Sequence, residues 1–303
     1  DAVATCKKLV NAEPQSSRRH QQLAVALLAA GKGPEALDEA RQAVTFDSKD
    51  AAAKFLLVRL LVASGKPEEA APLVQDLKPQ YPKDPNLAQY EGEIALQLKK
   101  PQDAVAAFQR AVSIADRGPI RRLLASAQTQ AGHADEAEKT LKTWVDAHPD
   151  DAASRVALGD TYLAMNRLDE AAAQYTESIR ATADNPIAEN NLAWVLMKQG
   201  KGTEALDHAQ KAAKLDPQSA EVMDTLGMVL LQTGNATEAA SNLQKASEKA
   251  PANPTIKFHF AQALVSTGQK DGARFVLNQL LSTKQPFKER PDAEKLLTQL
   301  SGS

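Results

Sequence analysis

The chain has 303 residues with 36 basic and 38 acidic side chains, a formal net charge of −2, which leaves no electrostatic footprint for nucleic acid or an anionic membrane. Hydrophobic residues make up 43% but aromatics only 4%, a balance that suits closely packed, alanine-rich helices better than a sheet protein. No run of about 18 apolar residues is present, and the single cysteine, Cys6, excludes an intrachain disulfide, which fits the cytosol and equally a periplasmic protein that uses none.

A small residue returns every 33 or 34 positions: Ala36, Ala70, Ala104, Ala137, Ala171, Ala205, Ala239 and Ala273. Five positions before each stands a turn residue: Gly31, Gly65, Lys99, Gly132, Asn166, Gly200, Gly234 and Gly268. This is the signature of a stacked helical array, whose units bury their apolar faces against one another. A length of 303 residues would by itself suggest two domains. The repeat overrides that prior, so residues 1–303 are expected to form one continuous solenoid. In chain order, residues 1–14 read as the second helix of a repeat whose first helix is missing, as in a piece cut from a longer array. Residues 15–285 hold eight repeats, and 286–303 a capping helix and tail.

Around Lys99-Lys100-Pro101 the glycine is replaced, and one residue is lost before Gly118-Pro119, a local variant that could alter curvature between the third and fourth repeats. The unit from Asn185 to Gln218 shows the plan most clearly. Pro186 to Gln199 carries Leu192, Ala193, Leu196 and Met197 at helical spacing, and Gly200 ends that helix. Thr203 is the expected N-cap of a second helix reaching about Leu215, which Asp216-Pro217 terminates. Ala193 or Gly227 is expected to face Ala205 or Ala239, because helix axes approach to ~8–10 Å only over small residues. Pro291 to Leu300 reads as a short helix that covers the last repeat, and Gly302-Ser303 as a cloning scar or a natural end.

These residues resemble the tetratricopeptide repeat. The small residue of that motif is met by Ala24, Gly92, Ala125, Gly159, Ala193, Gly227 and Ala261, with Val58 departing; its helix-ending proline is met by Pro14, Pro82, Pro149, Pro217 and Pro251. The resemblance implies an all-α, right-handed superhelix of about eight and a half helix-turn-helix repeats with a C-terminal capping helix, close to one superhelical turn.

Catalytic signals are weak. His20, His133, His148, His208 and His259 are scattered, and the pairs Glu204–His208 and His133–Glu136 have no third ligand, so no metal, cofactor or catalytic residue is expected and the chain reads as non-enzymatic. Acids such as Asp135-Glu136 and Asp169-Glu170 recur at the starts of second helices, where the helix dipole favours them.

In tetratricopeptide arrays the first helices line a concave groove. The resemblance places groove residues 18, 15, 11, 8 and 7 positions before the repeat alanine, which yields two surfaces. The early one includes Arg18, Gln21, Val25, Leu28, Phe55, Arg59, Gln89 and Glu93. The late one includes Asn190, Trp194, Met197, Lys198, Asp224, Met228, Phe258 and Gln262, and is the expected partner site. Trp194, Met197, Met228 and Phe258 would face one channel, and exposed side chains of these types mark adaptable binding surfaces. Asn190, Lys198, Asp224 and Gln262 could bond an extended peptide backbone; the alternative is that Trp194 and Met228 pack between repeats. No repeat supplies the Lys–Asn pair of the arrays that clamp a terminal carboxylate, which disfavours a heat-shock cochaperone.

Asn190-Asn191-Leu192-Ala193-Trp194, Asp224-Thr225-Leu226-Gly227-Met228, the run from Pro251 to Phe260, Pro286-Phe287 and the run from Arg290 to Leu297 are similar to the C-terminal end of bacterial tetratricopeptide proteins associated with exosortase (PEP-CTERM) and exopolysaccharide export systems. That similarity covers about residues 184–300 and implies an exported, periplasmic or envelope-associated scaffold with a protein or peptide partner. A cytosolic peptide-binding adaptor, or direct polysaccharide binding along the groove, are the alternatives.

Overall fold

A computed structural model describes residues 2–283 and 286–301; Gly302-Ser303 lie outside the described residues. These form eighteen α-helices and no strand. After α1 (Ala2–Ala12) come eight helical hairpins, and after them α18 (Arg290–Ser301). The first helices of the hairpins are α2 (Ser17–Ala29), α4 (Ala51–Ala63), α6 (Pro85–Gln97), α8 (Gly118–Gln130), α10 (Ala152–Ala164), α12 (Pro186–Lys198), α14 (Ala220–Gln232) and α16 (Pro254–Ser266). Their partners are α3 (Gly33–Phe46), α5 (Pro67–Leu77), α7 (Pro101–Ile114), α9 (Ala134–Ala147), α11 (Leu168–Ala181), α13 (Gly202–Leu215), α15 (Ala236–Lys249) and α17 (Lys270–Ser282). The chain divides into two compact units, residues 1–144 and 145–303.

Each hairpin turns in the same way, by closure of the backbone on itself. The first helix ends on a residue in the left-handed region, and the next N–H reaches back to a carbonyl five residues earlier: Lys32 to Leu27 at 2.9 Å, Arg167 to Tyr162 at 2.8 Å, Lys201 to Leu196 at 2.9 Å. This is the Schellman closure. Gly200 takes φ 78° at no steric cost, whereas Lys99 (φ 57°) and Asn166 (φ 58°) hold the same conformation with a Cβ. Thr203 is not the N-cap that the sequence suggests. The N-cap is Lys201, two residues earlier, and it makes no side-chain cap bond. Capping belongs instead to the first helices, where Asp50, Asp84, Asn185, Ser219 and Asn253 accept from backbone N–H groups two or three residues on.

In unit 1 the core runs as one apolar cluster from Val3 of α1 through Leu23, Leu37, Leu61 and Val74 to Ile94 of α6, with Cys6 packed at its edge. In unit 2 a cluster of Phe258, Leu264, Leu277 and Leu280 is closed by Ala293 and Leu300 of α18, so this last helix does cap the array's apolar end.

The three glycines at the small-residue position of first helices face a residue sixteen positions later. A methyl group on Gly92 would lie 2.5 Å from Phe108, on Gly159 2.5 Å from Tyr175, and on Gly227 2.5 Å from Leu243. In these three hairpins a large side chain stands opposite glycine. Phe108 and Tyr175, the aromatics at the facing position, both stand opposite glycine, while Val58, the departure from the motif, shares its cluster with Val74. Summed volume is what close helix packing constrains.

Candidate functional site

The eight late-groove residues lie in different surroundings. Asn190 and Trp194 of α12 and Asp224 of α14 come together in unit 2 around a cleft of about 260 Å³, with Glu221, Thr255 and His259. Phe258 and Gln262 of α16 instead border a separate cavity of about 400 Å³ against Asp292, Lys295, Leu296 and Gln299 of α18. Met228 packs beside the Ala240–Leu243–Ala263 cluster.

Exposure also differs from the expectation. Met197 is 6% exposed and Phe258 4%, so both are core residues with little surface to offer a partner. The reason is size. Phe258 fills the space under the terminal helix that the last hairpin would otherwise leave empty. Trp194 is half-buried; its ring carries the Lys198 ammonium 4.6 Å from its centroid and lies 6.3 Å from the His259 ring. Lys198 itself is exposed.

Asp224 is already engaged. His259 Nδ1 lies 2.9 Å from both of its carboxylate oxygens in a pair that is almost fully buried, so this nitrogen must be the donor. Asp224 is therefore a wall of the cleft and not a free acceptor for peptide N–H groups. His208 is likewise held by Glu189 of α12 and not by Glu204 of its own helix. These pairings join residues 19 and 35 positions apart, so one-turn spacing along a helix gives no sign of them. In contrast, Asn190 Oδ1 and Gln262 Oε1 are buried and have no hydrogen-bond partner.

Unit 1 holds a larger opening. A cleft of about 620 Å³ crosses the first helices α2, α4 and α6, lined by Arg18, Gln21, Val25, Phe55, Leu56, Arg59, Asp84 and Tyr90 among others. Five early-groove residues meet there: Arg18, Gln21, Val25, Phe55 and Arg59. Tyr90, one position from the groove residue Gln89, is missed by the offset rule, although a tyrosine in so aromatic-poor a chain is a signal in itself. Burial pushes the Tyr90 phenol above its ordinary value, so it remains a neutral O–H group. Gln21 is fixed by donating to Asp50 at 2.6 Å. Burial works to raise the Asp50 carboxyl, but the Ala53 N–H, Gln21, Ser17 and the Ala52 N–H outweigh it, and the net shift is downward.

Among the described residues no group of three His, Cys, Asp or Glu side chains is placed to hold a metal ion, and no helix is long and apolar enough to cross a membrane.

Two profiles described as tetratricopeptide repeat match, one over residues 156–220, the other over 27–90, 95–158 and 230–300. The chain belongs to the tetratricopeptide-repeat family. No curated protein matches it. Among solved structures it is similar to the APC/C hetero-tetramer Cut9–Hcn1, with a TM-score of 0.68 at 17% identity over 97% of this chain and 57% of that one. It thus spans little more than half the length of that structure. TTC0263 of Thermus thermophilus, a thermophilic tetratricopeptide protein, gives 0.51 at 23% identity over 60% of this chain and 100% of that one. The human IFIT1 dimer with m7Gppp-AAAA gives 0.59 at 16% identity over 89% and 69%. At these identities the likeness is one of fold. Tetratricopeptide proteins generally act as interaction scaffolds, and the fold is typically non-catalytic.

Proposed function

We propose that this tetratricopeptide array is a non-enzymatic scaffold that binds a protein partner along its first helices, with the Asn190–Trp194 cleft of unit 2 as one contact point. The observation that carries this reading is the half-buried Trp194 on the wall of an open cleft with Asn190, Glu221 and Thr255. Trp194, with Lys198 over its ring, supplies an anchor of the kind that dominates interfaces. The net charge of −2 favours a protein over RNA as ligand.

The similarity of residues 184–300 to exosortase- and exopolysaccharide-associated proteins supports a place in bacterial envelope polysaccharide export or protein sorting, in the periplasm or at the envelope. The test is capture from a bacterial envelope extract by the parent chain and by Trp194→Ala/Lys198→Ala, both checked for helical circular dichroism. A defined envelope protein held by the parent and lost by the variant supports the reading. Equal capture by both removes the cleft from it, and retention on an exopolysaccharide column that the variant loses would favour the polymer as ligand.

A further inference from the structure

Both ring nitrogens of His20 are engaged, and each by an acceptor. The residue lies in α2, 6% exposed, stacked on Phe46 of α3 with the ring centroids 5.1 Å apart. Nδ1 lies 2.6 Å from Glu39 Oε2 of α3, and Nε2 lies 3.0 Å from the carbonyl oxygen of Pro14, in the connection between α1 and α2. A carbonyl oxygen only accepts, so Nε2 carries a hydrogen. A neutral ring has no second hydrogen, and an ionised carboxylate has none to give. Both bonds therefore exist together only while the His20–Glu39 pair holds one proton more than a neutral histidine beside a carboxylate, whichever partner carries it. His208 and His259 differ. Each meets its carboxylate through Nδ1, and a neutral ring serves.

The other charges around His20 are engaged elsewhere or exposed. On α3, Arg41 pairs with Glu69. In the α1–α2 connection Glu13 pairs with Arg19 at 2.9 Å, and at the start of α4 Asp50 accepts from Ser17 and Gln21. Arg18 of α2 and Lys7 and Lys8 of α1 are exposed.

We propose that the His20–Glu39 pair is a proton-operated latch that fastens α1 to the first hairpin. The closed form holds one proton more than the open form, so acid favours closure and rising pH opens it. Once that proton is lost, the remaining ring hydrogen stays with the charged acceptor, Glu39, which makes the stronger bond. Nε2 then turns a lone pair on the Pro14 carbonyl, and the connection is repelled. With it goes α1, which adds Val3 to the unit 1 core and packs Cys6 and Val10 at its edge. Its 11 residues are too few for a stable lone helix in water, so a freed α1 melts. Closure covers this apolar end of unit 1 and opening exposes it. The latch stands apart from the scaffold reading and from the unit 2 cleft.

The test is hydrogen–deuterium exchange of the whole chain, read by mass spectrometry on residues 2–12, for the parent and for Glu39→Gln between about pH 6 and 9. In the variant the glutamine amide donates to Nδ1 while Nε2–H donates to Pro14, so a neutral ring makes both bonds and α1 stays latched. Comparing the two chains at each pH cancels the intrinsic pH dependence of exchange. Their rates should agree at the acid end, and the parent should exchange about tenfold faster at the alkaline end. His20→Leu, which removes both bonds, should exchange fast throughout. A parent-to-variant ratio that stays constant with pH would overturn the latch, as would a His20→Leu chain as protected as the parent at the acid end. So would equal loss of protection in α14 of unit 2, since the opening would then be global.

Discussion

The large-opposite-small pairing predicts opposite signs for the same substitution at two glycines. In Gly159→Ala the new methyl carbon would lie 2.5, 2.8 and 2.9 Å from three carbons of the Tyr175 ring, about 1 Å inside the carbon–carbon optimum of ~3.5–4.0 Å. The ring cannot give way. Tyr175 is fully buried, and its hydroxyl donates to Asp160 at 2.7 Å. Overpacking of this kind costs ~1–3 kcal/mol, against ~1 kcal/mol gained by replacing glycine within a helix. With a tethered ring the cost belongs at the upper end, leaving a net loss of about 2 kcal/mol. In Gly272→Ala, also helical, the methyl would meet only Leu264 at 3.6 Å, an ordinary contact, so the helix gain of ~0.5–1 kcal/mol survives. At ~2–4 °C per kcal/mol for a unit of this size, Gly159→Ala should lower the unit 2 melting temperature by about 4–8 °C and Gly272→Ala should raise it by about 1–4 °C. Scanning calorimetry and thermal circular dichroism read both. A rise for Gly159→Ala would refute the reasoning, since it would mean that the ring moves freely and that facing volumes are not what sets the helix spacing.

Further outcomes follow from other parts of the chain. Phe258→Ala should cost ~3–5 kcal/mol by opening a cavity beneath α18, and clearly more than Trp194→Ala; urea midpoints give the order, and equal losses would contradict the burial of Phe258. Lys99→Gly should stabilise by about 1 kcal/mol by removing a Cβ from the left-handed turn, and Asn166→Gly by less, because asparagine tolerates that region; a destabilised Lys99→Gly would mean that its side chain has a role the turn does not explain. Asp50→Ala should cost ~1 kcal/mol at neutral pH through loss of a helix cap. The Asp50 carboxyl is held below its ordinary value in the fold, so its contribution is present above the unfolded value of ~3.9 and is lost as pH falls through the folded value. The gap between parent and variant should therefore narrow as pH falls below the unfolded value, and a gap of constant size in urea titrations would show that the carboxylate charge is not involved.

Much of this architecture is legible in the residues. The 34-residue alanine period and the turn residues before it give all eight hairpins, because backbone closure at Gly31, Lys99 or Asn166 depends only on local conformation. α1 and α18 are equally readable, from the half-period at the start and from Leu296, Leu297 and Leu300 near the end. What is not legible depends on pairs distant in sequence. That Gly159 answers Tyr175, and that Val58 can depart from the motif beside Val74, requires knowing which residue faces which. The groove offsets name positions on the first helices but not how deep their side chains sit. Met197 and Phe258 are large enough to fill the interior, while Asn190 and Trp194 line a cleft and Lys198 lies over the Trp194 ring. The Asp224–His259 bond spans 35 residues and removes an acid that the offsets alone make available. The unit 1 cleft is half visible: Arg18 and Arg59 occupy groove positions, but Tyr90, one position from Gln89, does not.

The central claim is that a protein partner engages the first helices of the hairpins. The most direct measurement is site-specific photocrosslinking, with a photoreactive amino acid placed at Lys198 on α12 and, separately, at the exposed Lys211 on the second helix α13. The account predicts a discrete crosslinked product with one envelope protein from position 198 and none from position 211. Crosslinking to the same protein from position 211 alone, or equally from both, would contradict it.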